Sequence, residues 1–202
     1  MGIDISVGVL VDISEASYLE SKDFIDHYKE QFEAINQYLI SIGLPEHKEP
    51  SSFGGVPTLE LTATKELYPL RFFAEELESR SNLRFPHLLT VAHSNGGIFL
   101  PLDFDEVLEP DPSFRIEYSL GSAYKLHCEC LSLAALLDID KDFDAPLIDC
   151  SISKIDNIGY SLEDFNLIYE DGCIWPNGAG ACYSLYIASH FSITHKAAIV
   201  IF

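Results

Sequence analysis

Residues Ile3 to Ile13 read IDISVGVLVDI, and the placing of this run decides the fold. It is short, rich in Val and Ile, and closed by Ser14 and Glu15. That is the composition of a strand with one strongly buried face or two. The run Ala197 to Phe202, AAIVIF, has the same character. Strands so dense in apolar residues lie inside a sheet. Both ends of the chain are therefore expected at the centre of one mixed sheet.

Working inward, the period changes near Phe24. Ile25, Tyr28, Phe32, Ile35, Leu39 and Ile42 step by three and four, Asp23 can cap the start, and Gly43 with Pro45 ends the run, so a helix is expected there. Pro45 to Thr58 carries three prolines and a Gly-Gly and reads as a loop. A second helix is expected from about Pro69 to Arg80, with Leu70, Phe73 and Leu77 on one side. A third runs from about Ser122 to Leu137, with Leu126, Cys130, Leu133 and Leu137 in one stripe and Ser119 as a possible cap. Ala181 to His195 is apolar almost all round, as befits a helix buried on more than one side.

The stretch His87 to Phe104 reads as two short β-rich runs split by Asn95-Gly96. That dipeptide is a strong hairpin signal, because a type I′ turn needs positive φ at both positions. Pro101 places the second run at an edge or a bulge. The fold class expected is thus α/β, a mixed sheet with central N- and C-terminal strands, a side β-hairpin and about four helices; α+β is the alternative. Residues 1–202 are expected to form a single domain.

The chain holds 32 Asp and Glu against 12 Lys and Arg, a net charge of −20 over 202 residues. Such a charge repels phosphate backbones and anionic headgroups, so neither nucleic acid nor a membrane is expected as a partner. The N-terminal MGIDISVGVL has no basic start and its apolar run is broken by Asp4 and Asp12, unlike a signal peptide. A cytoplasmic location is expected. Five cysteines with no C-x-x-C pair read as free thiols rather than a disulfide scaffold or a zinc ribbon.

The residues that carry chemistry are few. His93 and Ser94 are adjacent, but a hydrolase serine of the α/β type stands on a strand-to-helix turn, and neighbours on a strand point to opposite faces. Cys182 follows a Gly-rich stretch at the expected start of the last helix, where unpaired N–H groups stabilise a thiolate; His93 or His87 as base and Asp103 as orienter would complete a thiol enzyme. Asp138, Asp140, Asp142, Asp144 and Asp149 fall near the spacing of a calcium loop, yet Phe143 stands where the turn glycine belongs. The seven histidines show no metal-ligand pair at helical spacing, and no metal site is expected. Gly178-Ala-Gly180 lacks the third glycine of a dinucleotide fingerprint and there is no P-loop, so no cofactor is expected. His195 and Lys196 suit the last turn of a helix and are also candidates for binding.

Three blocks of the chain resemble a family of uncharacterised bacterial proteins. They are GIDISVGVLVDI with the helix and GLPEH that follow, HSNGGIFLPLDF with LGSAYKLHCEC, and FSITHKAAIVIF. The positions that match are His93, Ser94, Gly97, Pro101, Asp103, Phe104, Gly121, Ser122, His195 and Lys196. The resemblance implies no activity.

The strongest functional signal is charge. Asp103, Asp105, Glu106, Glu109, Asp111 and Glu117 crowd one segment with Arg115 as its only cation. The expectation is a protein-binding module that presents carboxylate-rich loops, this one and Asp138 to Asp149, to a basic protein partner, as bacterial immunity proteins do. The alternative is a hydrolase using Ser94 or Cys182 with His93 as base. Oligomeric state is not legible.

Overall fold

The computed structural model describes residues 2–64, 67–93, 96–136 and 175–202. Ser94 and the calcium candidates Asp138, Asp140, Asp142, Asp144 and Asp149 lie outside the described residues. The protein is α/β. Its strands are β1 (Gly2–Val7), β2 (Leu59–Thr64), β3 (Gly97–Leu100), β4 (Ser119–Ser122) and β5 (Ile199–Ile201). They form one mixed sheet in the order β2-β1-β5-β3-β4. β1 is antiparallel to β2 and β5, β5 is antiparallel to β3, and β3 runs parallel to β4. The N- and C-terminal strands thus sit inside the sheet, as their composition requires. Ile199, Val200 and Ile201 are all but fully buried, and each such side chain is worth roughly 1.5–3 kcal/mol relative to exposure.

Among the described residues there are six α-helices: α1 (Glu15–Glu20), α2 (Lys22–Ser41), α3 (Leu67–Arg80), α4 (Pro86–His93), α5 (Ala123–Leu136) and α6 (Trp175–His195). They flank the sheet unequally. On one side α3, α4, α5 and α6 pack a large core against Ile5, Val7, Phe99, Ile199 and Ile201. On the other, α2 alone lays Tyr28, Phe32, Ile35 and Leu39 over Ile98, Leu100, Leu120 and Val200. Period-2 alternation sends neighbouring strand residues to these two cores.

Several expectations are corrected. The side β-hairpin is absent from His87 to Phe104: the first run is helix α4 and only the second supplies a strand. The cause is tertiary. Pro86 opens the helix, and Glu129 of α5 accepts the N–H groups of His87 and Leu88, 3.2 and 2.8 Å away, in place of a local cap. Leu88 and Val91 then share a buried face. Gly96 has φ +142°, far from a type I′ value, because the chain passes close to the carbonyl of Ile201. The expected four helices are six among the described residues: α4 stands where a strand was expected, and α1 adds to the expected set. β1 ends at Val7 rather than Ile13, where Gly8 takes φ +83° against the ring of Phe53. Cys128, expected free, is disulfide-bonded, whereas Cys130 and Cys182 are free and buried.

Candidate functional site

The segment between β3 and β4 is the most acidic described part of the surface, and its backbone is well tied. Ser122 Oγ donates to the carbonyl of Leu102 at 2.6 Å. Phe104 is buried against α2, and Leu108 and Leu120 exchange backbone bonds of 2.8 and 2.9 Å. Asp111 then caps a short 3-10 turn, Pro112–Phe114, by accepting from the N–H of Ser113 at 2.8 Å. Gln31 of α2 grips the far end, its amide donating to the carbonyl of Arg115 and accepting from the N–H of Glu117. Tyr28 and Tyr118 stack beside it, with ring centroids 6.3 Å apart.

With its apolar and amide groups turned inward, the segment turns its carboxylates outward. Asp103, Asp105, Glu106, Glu109, Asp111 and Glu117 are all exposed. Lys125 of α5 lies 2.7 Å from Asp105 and 3.4 Å from Asp103. Its ammonium holds the Asp105 carboxyl below the usual range, and the Ser113 hydroxyl and N–H do the same for Asp111. Both are ionised at neutral pH. Glu109 accepts from the hydroxyl of Ser119 at 2.9 Å. Glu30 and Glu33 of α2 border the same groove as Ser113, Phe114 and Arg115, so the acidic face continues onto the helix. These helix carboxylates were missed in the sequence, although Asp23, Asp26, Glu30 and Glu33 repeat at helical spacing opposite the apolar stripe.

Of the hydrolase candidates, Ser94 lies outside the described residues, and the others are placed as follows. Asp103 pairs with Lys125. His93 closes α4. Helix α6 begins at Trp175, so Cys182 lies two turns inside it instead of at its start. The Cys182 thiol is fully buried and donates to the carbonyl of Cys130 at 3.4 Å. His195 packs against Phe191 and Phe53, while Lys196 reaches Tyr124 Oη at 3.0 Å.

His87, His47 and His127 are buried, each with a polar partner. His87 Nδ1 is 3.0 Å from Glu129, whose carboxyl is pushed up by burial. His47 is 2.9 Å from Glu49, which also accepts from the N–H of Ala198 and ties the 45–58 loop to β5. His127 bonds Ser189 and stacks on Tyr186, and burial with the nearby His190 lowers it to about 4. Among the described residues no group of three or more His, Cys, Asp or Glu side chains is arranged to hold a metal, and no helix is long and apolar enough to cross a membrane.

The geometry defines an α/β protein that displays carboxylates on a pre-ordered surface. Residues 56–201 match a family described as "Putative DNA-mimic protein", and the chain belongs to that family. The matched span includes the acidic segment and four of the five strands; β1 and α2 precede it. Neither a curated protein nor a solved structure matches the chain. The family corrects one expectation. Strong negative charge was taken to remove nucleic acid from the protein's associations, but in a mimic that charge is the point of likeness to nucleic acid. The error was to treat repulsion of DNA as irrelevance to DNA.

Proposed function

We propose that the protein occupies the basic DNA-binding surface of another protein, its carboxylates standing where phosphates would. DNA presents one negative charge per roughly 1.7 Å of axis, and a surface evolved to neutralise that array accepts any rigid array of similar density. The observation that carries the reading is the segment from Asp103 to Glu117: six exposed carboxylates with one Arg, fixed on α2 by Gln31. Rigidity matters because an ordered loop loses little entropy on binding, whereas a flexible acidic tail must be immobilised. Family membership supports the same reading.

The test is displacement. Proteins of a cell lysate are loaded on duplex-DNA resin and eluted with this protein or with polyglutamate at equal carboxylate concentration. The expected result is release of one or a few proteins by near-stoichiometric amounts of the chain, weakening as salt rises, with far less release by polyglutamate. Equal release by polyglutamate, or none by the chain, removes the reading.

A further inference from the structure

Helix α2 covers β5, β3 and β4 but leaves the same face of β1 and β2 open. A cleft of about 890 Å³ results, the size of a ligand pocket. Its composition is unusual for an open sheet face. Asp4 of β1 and Glu60 of β2 line it, Asp12 borders it, and no lysine, arginine or histidine of the described residues does. Asp4 and Phe202 exchange both backbone bonds, at 2.9 and 3.0 Å, so they are directly opposed and their side chains share a face. Ser6 opposes both Glu60 and Val200, which sets Glu60 on that face too. The ring of Phe24 lies edge-on to that of Phe202 at 6.3 Å, and both rings are partly exposed. Carboxylates therefore stand beside an exposed aromatic wall, in a cleft with no cation among the described residues.

That pairing selects a particular group. Anions and neutral polar groups are repelled or gain little. A guanidinium is planar, binds carboxylates through a fork of N–H donors, and is hydrated weakly enough to stack on a ring. An ammonium is compact and holds its water, and gains less from the rings. A DNA groove offers arginine a comparable setting, with negative walls on either side of a stacked, less polar floor.

We propose that this cleft receives an arginine side chain of the DNA-binding partner, its guanidinium held by Asp4 and Glu60 and its face against the ring of Phe202, with Phe24 beside it. The assignment of that arginine to a DNA-binding protein rests on the function proposed above. The cleft and the acidic segment then divide the work: the segment imitates the phosphate array, and the cleft a groove.

The test titrates the full chain with N-acetylarginine amide and, in parallel, with its uncharged isostere N-acetylcitrulline amide, followed by amide ¹H–¹⁵N spectra. Saturable shifts at Ser6, Phe24 and Glu60 with the arginine compound alone are expected. Asp4→Asn with Glu60→Gln should weaken that binding at least tenfold, and Phe202→Ala several-fold. Asp4 and Glu60 are exposed, so the thermal midpoint of the carboxylate variant should stay in place. Equal shifts with both compounds, or shifts confined to the acidic segment, overturn the cleft as a guanidinium site. The DNA-resin assay separates the two proposals. Displacement by the chain without arginine seating overturns the cleft and leaves the mimic standing. Arginine seating without displacement overturns the mimic reading and, with it, the assigned source of the arginine.

Discussion

Glu129 and the carboxylates of Asp103 to Glu117 are the same functional group in opposite employment. Glu129 is buried, its two oxygens accept from two helix N–H groups, and one of them shares a hydrogen bond with the imidazole of His87. The segment carboxylates are exposed, and their partners are a lysine, a serine or a local N–H. A buried carboxylate bonded to backbone acts on the fold, because removing it strands donors away from water. An exposed one contributes little to stability and stays available to an outside partner. The protein's acidity is therefore two populations, and only the second is a candidate for recognition.

The sharpest way to break this contrast is Glu129→Ala. It leaves the N–H groups of His87 and Leu88 without their acceptor and the start of α4 uncapped. A loss of about 3–5 kcal/mol is expected, read from denaturant unfolding. Glu129→Gln keeps one acceptor oxygen and should cost less, about 1–3 kcal/mol. A near-neutral Glu129→Ala would mean that this carboxylate does not hold α4 and that burial is no guide to its role.

A second prediction concerns pH. Burial keeps His127 neutral, lowering it to about 4 from an ordinary 6.5. The unfolded chain thus binds a proton that the folded chain refuses between those values. Stability is full above pH 6.5 and declines as pH falls toward 4, by as much as about 3 kcal/mol. His127→Gln should flatten that slope in unfolding curves at several pH values. Glu129 has the opposite sign: burial raises its folded value, so its contribution is lost as pH rises through that value. If His127→Gln leaves the decline below pH 6.5 unaltered, another group carries it.

A third prediction tests the packing under the segment. A methyl at Gly121 would run into the ring of Phe99 within the core. Gly121→Ala should cost about 1–3 kcal/mol in a thermal or denaturant melt. A stabilised variant would show that the ring can move aside.

These features differ in how far the sequence discloses them. β1, β5, α2, α3 and α5 follow from local composition and periodicity, since each element's own residues decide both its type and its buried face. Helix α4 does not, because its cap lies 42 positions away in Glu129, and the Asn-Gly signal beside it is a local cue overruled by packing. The β2 strand was hidden for a similar reason: LELTAT follows a proline-rich loop and acquires its pairing only from β1. Of the candidate surface, the acids from Asp103 to Glu117 were legible as charge. Their rigidity was not, because it depends on Gln31, a polar residue on the apolar stripe of α2 that is buried to reach Arg115 and Glu117.

The smallest expected effect on the fold is therefore the most telling for function. Asp105→Asn with Glu106→Gln and Glu109→Gln removes three negative charges while leaving Gln31, Phe104 and the Leu108–Leu120 pairing in place. The unfolding midpoint should not move measurably, because each of these side chains is exposed and a surface pair such as Asp105 with Lys125 is screened by water. Release of proteins from duplex-DNA resin should fall steeply in the same variant and depend less on salt, since fewer charges remain to meet the basic surface. Loss of stability with release intact would place these carboxylates with Glu129, as parts of the fold. Stability kept and release lost would support the proposed role, a surface that meets another protein's cations.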